Sequence, residues 1–127
     1  GLDAGFIHNN WPMMNEGKFM HETVLIEKTP LYKNFIEGRS GVQFVHRILA
    51  FIVVFSVVII YLKGKKIAVS NHQLNGLNSI LLLVGLQSLL GVLTILLQVP
   101  LWLGIAHQIG AFLLLSSMTF TLHRFSK

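Results

Sequence analysis

Two histidines stand at the mouths of two apolar runs. His46 lies in QFVHRILAFIVV, residues 43–54, and His107 lies in IAHQIGAFLLL, residues 105–115. An imidazole is a metal ligand and a proton carrier near neutral pH. Arg47 follows His46 directly, and a permanent cation at the edge of an apolar run needs an anionic partner. Other chemistry is excluded by composition. The chain has no cysteine, so neither a disulfide nor a thiolate metal site can form.

The elements that must position these residues are membrane helices. Hydrophobic residues make up 53% of the 127, and charged residues only 12%. Residues 41–62, 77–99 and 101–122 form three apolar runs, each long enough at about 1.5 Å per residue to cross a hydrocarbon core of roughly 30 Å. Apolar on nearly every face, they could not be covered by so short a chain in water. The expected fold is all-α and polytopic, with three spans after an extracytoplasmic loop over residues 1–40. The opening GLDAG has neither the basic nor the apolar region of a secretory leader, so the chain reads as a fragment or a processed product. Membrane lipid is the first partner, and no nucleic-acid partner is expected.

Charge sets an expected direction. All five acids fall in residues 1–40, which hold four bases and so carry a net −1. The remainder has six bases and no acid. Lys63, Lys65 and Lys66 follow the first span, and Arg124 and Lys127 follow the third. Residues 63–76 and the C-terminus are therefore expected in the cytoplasm, with residues 1–40 and the Val99-Pro100-Leu101 turn outside. A short interfacial helix is expected near residues 30–37.

Spans one and three then run parallel. His46 lies about five residues into the first and His107 about six into the third, so both imidazoles fall some 6 to 10 Å below the outer interface. Two histidines facing one another from neighbouring helices can ligate a single haem iron axially, and an arginine fork suits a haem propionate. Gly85, Ser88 and Gly91 lie roughly along one side of the second span, where they permit close helix packing or leave room for a flat macrocycle. Gln87, deep in lipid, calls for an interhelical hydrogen bond. The plainer readings stand beside these: each histidine bonded to water or a carbonyl, Arg47 reaching a lipid phosphate, the small residues packing a helix. His8, His21, His72 and His123 fall in loops or the tail, where solvated surface is expected.

The stretches GLDAGFIHNNWPMMNEG, VQFVHRILA and LLLVGLQSLLGVLTILLQVPLWLGIAHQIGAFLLL together resemble the C-terminal part of the haem A synthases, from Gly1 to about Leu115. The resemblance implies two pseudo-symmetric four-helix halves, each with a histidine pair. It implies that the whole enzyme oxidises the C8 methyl of haem O to a formyl group, giving haem A for terminal oxidases. This chain would supply three helices of the half that holds haem b, with His46 and His107 as axial ligands. The missing N-terminal half would carry the haem O site, and haem O synthase and an electron donor are implied partners. The family's first half has a glutamate three residues before its leading histidine; Gln43 stands in that place here and cannot exchange a proton as a carboxylate does. Phe6, Trp11 and Phe19 are expected to cover the haem edge. The fragment alone is not expected to oxidise anything. Two rivals remain: a standalone b-type cytochrome of the membrane, and an assembly protein without haem.

Overall fold

The computed structural model describes residues 2–15 and 17–126. A short helix α1, Thr23–Ile26, precedes three long ones: α2, Arg39–Ile67; α3, Asn71–Leu96; and α4, Leu101–Phe125. Each long helix is apolar and long enough to cross a membrane, and the molecule is an integral membrane protein. No extended strand occurs among the described residues.

The helices overrun the hydropathy boundaries because helix propensity does not stop where lipid does. Lys63, Lys65 and Lys66 are good helix formers and carry α2 on to Ile67. Its 29 residues make a rod of about 44 Å. The connection to α3 shrinks to residues 68–70. Ser70 caps α3 in a complete capping box: its hydroxyl accepts from Gln73 N, and the Gln73 side chain accepts from the Ser70 amide. Residues 71–76, expected as connection, are therefore helix. Gln98 and Val99 take left-handed backbone angles, φ 58° and 56°, and Pro100 then opens α4. Such angles are costly for a β-branched residue. The turn is held by Val99 N donating to the Thr94 carbonyl at 2.7 Å.

Helix α3 is the central wall. It packs along α4 and against α2, whereas α2 and α4 have little direct contact. Val57, Ile80, Val84 and Leu114 form the buried core. At Gly76 a Cβ would lie 2.6 Å from Thr121 Oγ1, so this glycine lets the lower halves of α3 and α4 close together. Much of the remaining apolar surface faces outward, including Phe55, Phe112 and Leu115.

Residues 2–15 and 17–38 form a folded cap rather than a plain loop. The helix expected near residues 30–37 is a 3-10 turn over Leu31–Phe35. Inside it Asn34 donates to the carbonyls of Leu25, Lys28 and Leu31 and accepts from Lys28 N. Gly41 lies so close to the Asn34 carbonyl that any side chain there would collide with it. Glu27 accepts from Ser40 N at 3.0 Å, placing a carboxylate at the positive end of α2.

His8 departs from its expected solvated place. It is 1% exposed, with Nε2 3.0 Å from Ser40 Oγ and Nδ1 2.9 Å from Asn15 Nδ2. His21 is half-buried beside it, its Nδ1 2.9 Å from Thr23 Oγ1 and its ring centroid 5.1 Å from that of His8. His72 and His123 are exposed as expected. Burial, then the charges of His21 and Arg47, hold the His8 imidazole below its ordinary 6.5, against a smaller pull from Glu27. The unfolded cap therefore takes up this proton more readily than the folded one. The stability His8 contributes is complete above 6.5 and is lost as pH falls through the lower folded value. Protection of the amides over residues 8–15, referred to the intrinsic exchange rate at each pH, should fall as pH drops below 6.5, and His8→Gln should flatten that step.

A two-histidine cavity between the outer helices

A cavity of about 680 Å³ lies where α2 and α4 stand apart across α3. Helix α2 contributes His46, Arg47 and an apolar face including Phe51 and Val54; α3 contributes Gly85, Gln87, Ser88 and Gly91; α4 contributes His107 and Leu114. Trp11 of the cap reaches the same space. The lining is overwhelmingly apolar with a few convergent polar groups, as in cofactor sites of about 300–1,000 Å³.

The two histidines meet here. Their ring centroids are 6.2 Å apart and the rings are inclined at 71°. Two imidazoles that share one metal atom, each with a nitrogen about 2 Å from it, have centroids roughly 6 Å apart. No group of three or more metal-binding side chains occurs among the described residues. A bare ion would therefore find too few protein ligands here, whereas a metal already held by a macrocycle needs only two.

The small residues of α3 serve this space. A Cβ on Gly85 would meet nothing within 4 Å, so the residue widens the cavity and packs no helix. A Cβ on Gly91 would lie 2.9 Å from His107 Cε1. The imidazole thus occupies room that glycine leaves. Gln87 makes the expected interhelical bond: its Nε2 donates to the His107 carbonyl at 2.8 Å and lies 3.1 Å from His107 Nδ1.

Arg47 has other partners than the expected propionate. The side chain is buried, and its two terminal nitrogens are taken by backbone carbonyls. Nη1 donates to Pro12 and Met13, both at 3.2 Å; Nη2 donates to His8 at 3.0 Å and Asn10 at 2.9 Å. Gln43, one turn earlier, donates to the same His8 carbonyl at 2.9 Å. The pair clamps residues 8–13 onto the start of α2, which brings Trp11 to the cavity. Asn9 adds a second anchor, donating to the Ile95 carbonyl at the end of α3. Of the aromatics expected over the site, only Trp11 lines it. Phe19 packs on Phe44 and Phe51 at 6.1 and 6.2 Å, and Phe6 is exposed.

This arrangement lies almost entirely within a segment that a known family shares. A family model described as cytochrome oxidase assembly protein matches residues 1–119. The chain belongs to that family. Among curated relatives, the heme A synthase of Flavobacterium johnsoniae is 55% identical over the whole chain, and that of Flavobacterium psychrophilum 54%. The heme A synthase of Wolbachia pipientis is 37% identical over 96% of the chain. The match occupies 37%, 38% and 32% of these relatives, so the chain spans about a third of their length. No solved structure matches.

Gln87 and Trp11 stand where the sequence reading expects them; what it does not supply is the grip of Gln43 on the His8 carbonyl and the close approach of Gly91 to the His107 ring. The i, i+4 spacing of Gln43 and Arg47 on one helix face was a usable signal. Nothing in the sequence marks residues 8–13 as their partner, because a backbone carbonyl has no residue type.

Proposed function

We propose that this chain is the haem b module of a heme A synthase, its C-terminal half, with His46 and His107 as the two axial ligands. The observation that carries the proposal is the pair of imidazoles 6.2 Å apart across an apolar cavity. The residues fit the group. Apolar walls suit the porphyrin, Gly85 stands where it would need room, and two protein ligands suffice. Bound there, a bis-histidine haem supplies one-electron transfer. His46 and His107 hold and orient it, Trp11 covers its edge, and the apolar walls exclude water. Arg47 lines the cavity with its Nε–H buried and unpartnered. Among the described residues no carboxylate lies within ion-pair distance of it. That uncompensated charge, with one donor to spare, still favours an anionic propionate nearby.

The complete protein, on this reading, oxidises the C8 methyl of haem O to the formyl of haem A and serves cytochrome oxidase assembly. Its first half holds the haem O site, and haem O synthase and an electron donor are its partners. The cap over residues 1–40 lies outside, with residues 63–76 and the C-terminus in the cytoplasm.

Oxidised and reduced absorption spectra of the detergent-purified full-length protein titrated with haem b test the assignment. A low-spin bis-histidine spectrum is expected. Gly91→Leu should weaken its formation by about 10- to 100-fold, because the added side chain takes the place of the His107 ring. An unchanged titration would show that haem does not bind through His107.

A further inference from the structure

A histidine that gives its Nε2 lone pair to a metal carries its proton on Nδ1, and that N–H needs an acceptor. Such acceptors fix the ring and raise its basicity. Beside His107 Nδ1 stands the Gln87 amide. Gln87 is anchored by Nε2 on the His107 carbonyl, and its Oε1 is buried without a partner. A buried amide oxygen left unsatisfied is costly. The space that Oε1 occupies is space that a side chain at position 110 would fill, so Gly110 keeps it open. Gly91 does the same for the ring itself. Gln87, Gly91 and Gly110 thus form a cradle for one imidazole and one amide.

We propose that Gln87 is the positioning residue for His107, its Oε1 accepting from Nδ1–H when Nε2 binds iron. This rests on the haem reading above and extends it to the residue that sets the ligand's strength. The Gln87 amide nitrogen sits 3.1 Å from Nδ1 and 3.5 Å from Nε2, and Oε1 has no partner. The proposed arrangement requires the imidazole to turn about its Cβ–Cγ bond until Nδ1–H meets Oε1, with Nε2 of Gln87 kept on the backbone carbonyl. Both halves of the amide are then satisfied. His46 has no such arrangement: among the described residues its ring makes no hydrogen bond and its neighbour is the His107 ring. The two ligands are therefore unequal, and tuning enters through α4.

The test uses the full-length protein, with His107→Ala marking which haem signal belongs to this site. Gln87→Leu removes the acceptor; Gln87→Glu replaces it with a stronger one. A better acceptor makes the imidazole more basic and favours ferric iron. The midpoint potential should rise in Gln87→Leu and fall in Gln87→Glu. Haem retention should drop about 10- to 100-fold in the leucine variant and be kept in the glutamate variant. Potentials that stay at the native value in both variants overturn the proposal, as does loss of retention without the opposed shifts, which marks a packing role alone. If His107→Ala removes no haem signal, the haem reading fails, and this inference fails with it. Should Gln87→Leu not fold, the direction of the shift in Gln87→Glu decides alone.

Discussion

On the proposed haem reading, substitution of either His46 or His107 by alanine should abolish the low-spin spectrum. With one ligand gone the iron needs a replacement, and the cavity supplies none. Ser88 donates its hydroxyl back to the Val84 carbonyl, and Arg47 is a cation. Loss of an outer-shell partner costs about 10- to 100-fold in affinity, so loss of a ligand itself should exceed that range. The double variant should be little worse than either single one, because the ligands act as a unit. Melting curves of the apoproteins separate this from misfolding. His46→Ala should be nearly silent there, since its ring lies exposed on the cavity wall. His107→Ala should cost more, because it removes the ring contact of the Gln87 amide, which stays on the residue-107 carbonyl, and opens a hole beside Gly91. A low-spin spectrum surviving in both would remove the haem site from this cavity and favour an assembly role without it.

How much of this was legible without coordinates depends on what kind of group made each contact. The three spans follow from hydropathy, which needs no partner to be read. The histidine pair was legible because two side chains at matched depth on parallel helices are both marked by residue type. Gln87 was half legible: a polar group in lipid demands a partner, but nothing named His107. Hydropathy marks the lipid-crossing runs and not the helix ends, for a physical reason. Lysine ends a hydrocarbon span without ending a helix, and the Ser70-Gln73 box lay inside a stretch read as connection.

The cap was the least legible part. Its organisation rests on side chains gripping main chain: Asn34 on three carbonyls, Asn9 on Ile95, Arg47 on four. An acceptor without a residue type leaves no trace in sequence. A cation on α2 therefore suggested an anion, when carbonyl dipoles from residues 8–13 meet much of its need. His8 was misplaced for the same reason. Its burial follows from a fold that short-range patterns do not encode.

The clamp makes a second large prediction. Arg47→Met keeps much of the volume but removes four charge-assisted hydrogen bonds. Each such bond is worth about 1.5–3 kcal/mol in isolation, but several carbonyls regain water once the cap lifts and the cost of burying the guanidinium is returned, so a net loss of about 3 kcal/mol is expected. That loss raises the open population of residues 8–13 roughly 100-fold. Amide exchange across the segment should report it, and Trp11 emission should shift to the red as the indole leaves the cavity. Arg47→Lys should recover less than half, because one ammonium with three donors cannot span carbonyls reached by two ends of a planar fork. Gln43→Leu removes only one bond and should cost about 1 kcal/mol, with more than additive loss in the double variant because both side chains share the His8 carbonyl. If exchange over residues 8–13 is unchanged in Arg47→Met, Asn9 and the buried His8 hold the cap alone. The arginine's charge would then have one remaining use, pairing with the propionate proposed for the cavity.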